Sequence, residues 1–342
     1  MMRRCSAPSQ QGFALAAVLW LIAGLTIVVA LVGDAALTAK QRIAQLRERT
    51  DFIQSAISTR AELEYRLSAS RPASAGLTDG VTLIWTNDTP YQVKPHSIVQ
   101  IQDHGGLIKL NSVNRELLTN YLQNCSVAQD KIDSLIDALE DYTDSDHLTR
   151  INGAERETYA LQAKKPPRNS PLLSVPEIWS VLGWDAYRQT LTDNGCANHF
   201  TTHHQVSLAG SQINLATAPG PVLKARGLAE ESIQDIENAK GDPQALAERA
   251  AQNNANNGGM FGAGGASLKN LRIRHTHPTG PWVMEYTLNL VIANPDRPWT
   301  LTQLTMGATA SPQRKLGKLT PLDWPKEAPA QTTSDAAKLL NL

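Results

Sequence analysis

Aromatic side chains, cysteines and net charge are all scarce in this sequence of 342 residues. Aromatic residues make up 5%, there are 3 cysteines, and 32 basic side chains balance 32 acidic ones. Without an excess of positive charge, the chain has no overall field that would attract nucleic acid. The sequence also lacks a Gly-x-Ser-x-Gly, a His-Glu-x-x-His and a phosphate-loop motif. We therefore expect a protein that is not an enzyme.

Hydrophobic residues, by contrast, are concentrated near the N-terminus. Residues 13–33 form an uncharged apolar run, which as a helix would extend about 32 Å and so cross a bilayer. Arg3 and Arg4 precede the run, and Asp34 follows it. This asymmetry predicts that the N-terminus stays in the cytoplasm and that the bulk of the chain is exported.

The apolar run begins directly after a Gly-Phe junction. Gly12 and Phe13 resemble the class III signal of type IV pilin-like proteins. The resemblance implies that a prepilin peptidase cleaves between Gly12 and Phe13 and methylates the new N-terminus at Phe13. Most such proteins have a glutamate at the fifth mature position, where this chain has Ala17. A plain membrane anchor is the alternative interpretation.

Two cysteines remain once the leader is set aside. Cys5 belongs to the leader, so Cys125 and Cys196 are the only pair in the exported part. An oxidising periplasm favours a disulfide between them, because an even count after processing fits a paired framework. Two separate buried thiols are the alternative.

The helix predicted for the apolar run does not end with that run. Residues 34–67 lack proline and repeat apolar side chains at steps of three, four and seven residues. The pattern predicts one helix from about Phe13 to about Leu67, whose second half packs on a soluble domain. The apolar positions of that half are Ala39, Ile43, Leu46, Ile53, Ile57 and Ala61.

Short strand patterns lie on both sides of a long helical region. Residues 81–85, 91–93 and 97–101 predict antiparallel strands, and residues 271–274 and 282–292 predict strands that complete the same sheet. The fold class is therefore α+β, with a long N-terminal helix packed on an antiparallel sheet that a large all-α insertion domain interrupts.

These patterns divide the chain into seven parts. The parts are a leader (1–12), a transmembrane helix segment (13–33), an amphipathic helix with the first strands (34–110), the α-helical insertion (111–255), a Gly-rich linker (256–268), the return strands (269–310) and a mobile tail (311–342). An internal echo predicts two related subdomains in the insertion. Residues 109–114 followed by Leu117-Leu118 recur, 105 residues later, as residues 214–219 followed by Val222-Leu223.

The insertion carries motifs that resemble a known family. They are Asp141-Tyr-Thr-Asp144-Ser-Asp146, Gly153-Ala154-Glu155, Tyr159, Pro166-Pro167-Arg168-Asn169-Ser-Pro171 and Ser174-Val-Pro-Glu177-Ile178. With them, the region from about Gly12 to about Ile292 resembles the general secretion pathway protein K family, the minor pseudopilins K of bacterial type II secretion. Two positions depart from the family pattern: Tyr142 stands where the family usually has Trp, and Ala160 where a second Tyr is common.

The resemblance implies a structural role in protein export across the outer membrane. Members of the family have a pilin head interrupted by a large helical domain, and they also lack the glutamate that Ala17 replaces. The resemblance further implies insertion in the inner membrane and a position at the tip of a periplasmic pseudopilus, in assembly with minor pseudopilins I and J and then H. The inner-membrane assembly platform and the prepilin peptidase are the other expected partners, and no nucleic acid is expected.

An acid-rich segment of the insertion is a candidate metal site. Its acids lie at the end of a predicted helix, where they oppose the helix dipole, and in the loop that follows. Oxygen ligands at this spacing suit Ca²⁺, and the resemblance implies calcium in the helical domain. The alternative is a solvated acidic loop paired with Arg150 or Arg156. The candidate calcium ligands are Asp141, Asp144, Asp146 and Glu155.

One helical segment keeps a second function open. The segment from Thr217 to Leu228 resembles half of a helix-hairpin-helix, which binds DNA phosphates through backbone amides. Only Lys224 and Arg226 supply positive charge there, so a packed helix pair is the alternative structure. The alternative function is a membrane-anchored periplasmic protein that binds DNA or acts as a scaffold.

Overall fold

A computed structural model describes residues 11–73, 76–94, 96–203, 213–239, 242–256, 261–262, 268–290, 297–308 and 319–322. The predictions for residues 1–10, most of the Gly-rich linker and most of the C-terminal tail lie outside the described residues. The chain divides into two compact units, Met1–Gln54 and Ser55–Leu342.

The described residues form α-helices, short strands and 3-10 turns. The helices are α1 Gln11–Ala69, α2 Arg115–Asn124, α3 Gln129–Thr143, α4 Arg156–Leu161, α5 Arg188–Asp193, α6 Gly220–Ala225, α7 Glu230–Ala239 and α8 Pro243–Asn256. The strands are β1 Arg71–Ala73, β2 Gly76–Thr78, β3 Leu83–Trp85, β4 Asn87–Lys94, β5 Ser97–Asp103, β6 Ile108–Lys109, β7 Phe200–Thr201, β8 Ile213–Asn214, β9 Phe261–Gly262, β10 Asn270–Thr276, β11 Trp282–Asn289, β12 Thr300–Ala308 and β13 Thr320–Pro321. The 3-10 turns are His104–Gly106, Val175–Ser180, Trp184–Tyr187 and Cys196–His199.

Helix α1 confirms the prediction of one continuous N-terminal helix. It runs without a break from Gln11 to Ala69, because this stretch contains no proline to interrupt the backbone hydrogen bonds. Its apolar side chains in the first unit are exposed, including Trp20 and Leu31. Among the described helices, α1 is long and apolar enough to cross a membrane by length and composition. The chain therefore has a helix that fits a single-pass membrane anchor.

Within the second unit, α1 buries a different stripe from the predicted one. Ala56, Thr59, Leu63 and Leu67 are fully buried, whereas Ile57 is 45% exposed. The prediction that Ile57 faces the soluble domain is wrong. The buried residues follow one another at steps of three and four and so share one face, while Ile57 lies one residue, or about 100°, away from it. Small side chains at Ala56 and Thr59 allow the helix to pack closely.

The central sheet is built from strands that lie on both sides of the insertion in the sequence. Its strand order is β12-β11-β10-β5-β4-β13, and β10 pairs antiparallel with β5, with Ile273 opposite Ile101. The chain thus leaves this sheet after β5 and rejoins it at β10, which confirms the predicted α+β fold class. The sheet is mixed rather than purely antiparallel, because β13 pairs with β4 in parallel at one edge.

The first strands also differ in detail from the prediction. Strand β4 begins at Asn87, although Asn87-Asp88 reads as a break in the sequence. Asp88 has a positive φ of 68°, and the pairing of β4 with β5 is irregular next to it, which is how a bulge places a turn-forming residue inside a strand. Strands β1 and β2 were not predicted, and they form a separate antiparallel sheet with β3.

The insertion between β5 and β10 is mostly helical and has its own core. Trp184, Tyr121 and Tyr159 are fully buried there, and Trp184 Nε1 donates a hydrogen bond to the Leu135 carbonyl oxygen at 2.8 Å. The insertion is not purely α-helical, because it also holds β7 and β8, which pair in parallel with β6 and β9. These short pairs satisfy backbone groups that would otherwise be buried without partners.

The echoed segments of the insertion pack against each other. Helix α2 belongs to the first segment and α6 to the second, and the two helices are in contact. Asn120 Nδ2 in α2 donates to the carbonyl oxygen of Ala225 in α6 at 3.1 Å. These two residues are 105 positions apart, which is the offset of the echo itself. Equivalent positions of the two segments therefore touch, as they do across a two-fold axis.

A disulfide joins Cys125 to Cys196, with their Cα atoms 6.2 Å apart. Cys125 is the C-cap of α2, and Cys196 is the first residue of the 3-10 turn Cys196–His199. In that turn the Asn198 carbonyl oxygen accepts a hydrogen bond from Arg272 Nη1 of β10 at 2.6 Å. The cross-link therefore holds the segment of the insertion that contacts the central sheet.

We expect the double substitution Cys125→Ser and Cys196→Ser to lower the free energy of unfolding by about 2–4 kcal/mol, because the open chain gains conformational freedom when unfolded. Urea unfolding of the two proteins measures the difference. Cys5→Ser, measured with all proteins in the unprocessed form that keeps the leader, is the matched control and should leave the urea midpoint unchanged. An unchanged midpoint for the double variant would contradict a stabilising role for the cross-link.

Candidate metal centre

The acidic segment lies between the end of α3 and the start of α4. Helix α3 ends at Thr143 because the next residue, Asp144, adopts an extended backbone as its C-cap. Glu155 holds the N-cap position of α4 but makes no capping hydrogen bond with its side chain. The partial negative charge at the C-terminus of α3 adds to the carboxylates there, so this end of the helix favours a cation.

Three of the four predicted ligands converge. Carboxylate oxygens of Asp144, Asp146 and Glu155 all lie within 4.8 Å of one another. Glu155 is only 1% exposed, and neither of its carboxylate oxygens has a hydrogen-bond partner within ordinary distance. The Oδ1 atom of Asp144 is also buried without a hydrogen-bond partner. A buried carboxylate is costly unless a cation or donors compensate it.

The fourth predicted ligand, Asp141, is engaged by Arg150 instead. Asp141 Oδ1 lies 2.5 Å from Arg150 Nη1, and Asp141 Oδ2 accepts a hydrogen bond from the Arg150 backbone N–H at 3.2 Å. Both oxygens of this fully buried carboxylate are thus taken. A Cβ on Gly153 would lie 2.0 Å from Asp141 Oδ2, so a glycine is needed where the loop passes Asp141. The predicted pairing of Arg150 with an acid is therefore present, and it lies next to the cluster of Asp144, Asp146 and Glu155.

The charges of the cluster perturb the groups within it. Burial raises the pKa of Glu155, and the nearby Asp141 and Asp144 raise it further, whereas His147 and the Arg156 backbone N–H act weakly in the opposite direction. Hydrogen bonds to Asp144 and Asp141, together with the charge of Glu140, raise the pKa of Arg150 despite some loss of hydration. A bound cation would favour the ionised form of Glu155.

The donor set fits calcium. Ca²⁺ takes oxygen ligands from carboxylates, carbonyls and water in flexible geometry, and Asp144, Asp146 and Glu155 offer only oxygen. The unpartnered oxygens of Glu155 and Asp144 are the observation that favours a cation over a solvated loop. None of the three is a nitrogen or sulfur ligand, the types that zinc prefers.

The predicted processing site lies at the start of α1. Gly12 and Phe13 fall within the helix that begins at Gln11, and their cleavage and methylation stay predictions.

The helix-hairpin-helix segment forms a packed helix pair. Helices α6 and α7 are joined through Gly227, whose φ is +94°. Val222 and Leu223 are fully buried, and the first turn of α7 carries Glu230 and Glu231. Acidic side chains at a helix N-terminus would repel the phosphate that such a motif binds.

Sequence reasoning assigned no role to Asp103, which joins the central sheet to the insertion. Asp103 ends β5 and is fully buried. Its carboxylate accepts hydrogen bonds from the Gly105 backbone N–H, from Asn214 Nδ2 and from Thr217 Oγ1, each at 2.9 Å. A Cβ on Gly106 would lie 2.7 Å from the Thr217 carbonyl carbon, so the two backbones are in close contact. The echo, which includes Asn214 and Thr217, was the only sequence signal of this junction.

Comparison with known proteins places these features in context. Residues 97–191 match the family model described as type II secretion system (T2SS), protein K. A chain of the GspK-GspI-GspJ complex from the enterotoxigenic Escherichia coli type 2 secretion system is similar in fold, with a TM-score of 0.50, 14% sequence identity, and coverage of 78% of this chain and 100% of that chain. No curated protein sequence matches the chain. At this identity, the structural likeness concerns the fold.

Proposed function

We propose that this chain, a member of the type II secretion system protein K family, is a minor pseudopilin. We further propose that it lies at the tip of the periplasmic pseudopilus. A minor pseudopilin role fits the long N-terminal helix and the sheet that follows it. The observation that carries the tip position is the insertion, since a large helical domain between β5 and β10 would not fit inside a fibre of closely packed subunits.

Ala17 supports the same position. A carboxylate in the apolar phase needs a partner, and in pilin-like proteins the glutamate at the fifth mature position pairs with the N-terminal amine of the next subunit. A subunit at the tip has no subunit ahead of it and does not need this glutamate. Counted from Phe13, the fifth residue is Ala17, as expected for the first subunit of the assembly.

The partners proposed for this chain are other minor pseudopilins. The similar solved structure contains GspK together with GspI and GspJ, and we extend that assembly to this chain. Pseudopilin H and the inner-membrane assembly platform would then follow below the tip. In this proposal α1 lies in the inner membrane with its N-terminus in the cytoplasm, and the second unit is periplasmic.

Calcium is the proposed ligand of the acidic cluster. Asp144, Asp146 and Glu155 would hold the ion, which supplies positive charge where Glu155 and the end of α3 have none. These residues come from the end of α3, from the loop and from the start of α4. A bound ion would therefore tie the two helices together and stabilise the insertion.

Copurification tests the proposed function. Full-length tagged chain, coexpressed with pseudopilins I and J of its own system and extracted in detergent, should retain both partners, and its mature form should begin with methylated Phe13. Gly12→Val should block cleavage, because the resemblance implies that the peptidase recognises glycine there, and it should strongly reduce recovery of I and J. Gly24→Ala is the matched control, since a Cβ at Gly24 meets no atom within 4 Å. A wild-type chain that keeps its leader and recovers neither partner would overturn the proposal and favour an ordinary anchored scaffold.

A further inference from the structure

Arg150 contacts three carboxylates at the edge of the acidic cluster. Its Nη1 lies 2.5 Å from Asp141 Oδ1 and 2.6 Å from Asp144 Oδ2, and its Nε lies 3.0 Å from Glu140 Oε2. The side chain is partly exposed, whereas that of Asp141 is fully buried. A cation is thus built into the protein next to the proposed calcium site.

Asp144 belongs to both halves of the cluster. Its Oδ2 is held by Arg150, and its Oδ1 is buried without a hydrogen-bond partner. Asp144 is also one of the three residues whose carboxylates converge, with Asp146 and Glu155. Arg150 therefore partly neutralises a carboxylate that is also one of the three candidate metal ligands. A carboxylate whose negative charge is already partly compensated by one cation attracts a second cation less strongly.

We infer that Arg150 is an internal counter-cation of the acidic cluster, which keeps the calcium-free insertion folded and lowers the calcium affinity of the site. This inference rests on the proposed calcium site. Two requirements lead to it. Asp141 is buried and needs a cation at all times, and Arg150 meets that need from a position in contact with the ligand Asp144, where its charge also repels the metal.

The arrangement also explains why five acids can share this region before a metal binds. Glu140 has a second partner in Arg115, whose Nη1 lies 2.6 Å from Glu140 Oε2. Asp141 and Asp144 share the single positive charge of Arg150, and calcium would neutralise the charges of Asp146 and Glu155. Calcium then adds stability to an insertion that is already folded, unlike a structural metal whose removal unfolds the protein.

The test compares charge with hydrogen bonding at position 150. Calcium affinity of the full-length chain in detergent is measured by isothermal titration, and melting temperature is measured in calcium and in chelator. Arg150→Gln removes the charge but keeps a donor, and it should lower the calcium dissociation constant by about tenfold or more. It should also lower the melting temperature in chelator and so widen the gap between the two conditions. Arg156→Gln is the matched control, because Arg156 is exposed and water screens its charge.

An unchanged or higher dissociation constant for Arg150→Gln would overturn the inference. If that variant folds only in calcium, the inference is supported, because the metal has become the sole compensating cation. If it does not fold in either condition, Arg150→Lys decides: it keeps the positive charge, and because the inference depends on that charge it should bind calcium within about fivefold of wild type. A larger change overturns the inference. A wild-type chain that binds no calcium removes both the metal site and this inference, but the copurification with pseudopilins I and J would still stand.

Discussion

Glu155→Gln is expected to have opposite effects on stability in calcium and in chelator. In calcium the variant should melt at a lower temperature than wild type, because the site loses the carboxylate that is buried without a hydrogen-bond partner. We expect its calcium dissociation constant to rise about 100-fold or more, since even residues that only support metal ligands are worth 10- to 100-fold. The calcium-dependent gain in melting temperature should then disappear.

In chelator the same variant should be more stable than wild type. Burial and the neighbouring Asp141 and Asp144 raise the pKa of Glu155, so ionised Glu155 opposes folding when no metal is bound. A group whose pKa is raised on folding contributes stability at low pH and loses it as the pH rises through the raised value. The advantage of Glu155→Gln in chelator should therefore grow between about pH 4 and neutral pH.

Glu157→Gln is the control for both conditions, because Glu157 lies two residues further along α4 and is not part of the cluster. Thermal melts at several pH values, with and without calcium, measure all these effects. A variant that follows wild type in both conditions would remove Glu155 from the site and support the solvated acidic loop.

Asp103→Ala is expected to weaken the attachment of the insertion to the central sheet. The substitution leaves the Gly105 backbone N–H, Asn214 Nδ2 and Thr217 Oγ1 without their acceptor in a fully buried position. We expect the free energy of unfolding to fall by about 3–5 kcal/mol, the usual cost of leaving several buried polar groups unpaired. Urea unfolding measures the loss. Asp79→Ala is the control, because Asp79 is an exposed turn residue that also accepts backbone hydrogen bonds.

The pH dependence of the free energy of unfolding gives a second test of the role of Asp103. Burial raises the pKa of Asp103 to about 6, although its hydrogen bonds and the charge of Lys109 act in the opposite direction. The stability that this group contributes is fully present below the unfolded pKa of about 4 and is lost as the pH rises through about 6. Asp103→Asn should flatten this part of the stability profile while it keeps one carbonyl acceptor. A wild-type and an Asp103→Asn profile with equal slopes between pH 4 and 6 would contradict the assignment.

Local sequence patterns predicted the structure correctly where a single physical constraint determines it. The absence of proline between Phe13 and Leu67 left α1 no reason to end, and the structure has one helix there. The choice of its packing face was not determined in the same way, since Ile57 and Ala56 are both apolar and only the tertiary packing decides which of them is buried. The bulge at Asp88 was missed for a related reason, because its turn-like backbone is accommodated only by the pairing with β5.

The acidic cluster shows the same division. The spacing of the acids in the sequence indicated four candidate ligands and Arg150 as an alternative partner. It could not show which acids pair with Arg150 and which are left to bind a metal. The fold makes that distribution by burying Asp141 against Arg150 and by bringing Glu155 back to Asp144 and Asp146. The echo marked Asn214 and Thr217, but it did not indicate their acceptor Asp103, which lies more than a hundred residues away in the sequence.

The sequence by itself determined the long apolar N-terminal helix, the strand segments on either side of the insertion and the family motifs of the insertion, because each depends on residues that are close together along the chain. The tertiary structure alone decided which face of α1 is buried, which acids remain open to a metal and where the insertion is attached to the sheet. These depend on contacts between distant segments, whose free energies are settled only when burial, hydrogen bonds and charges are counted together.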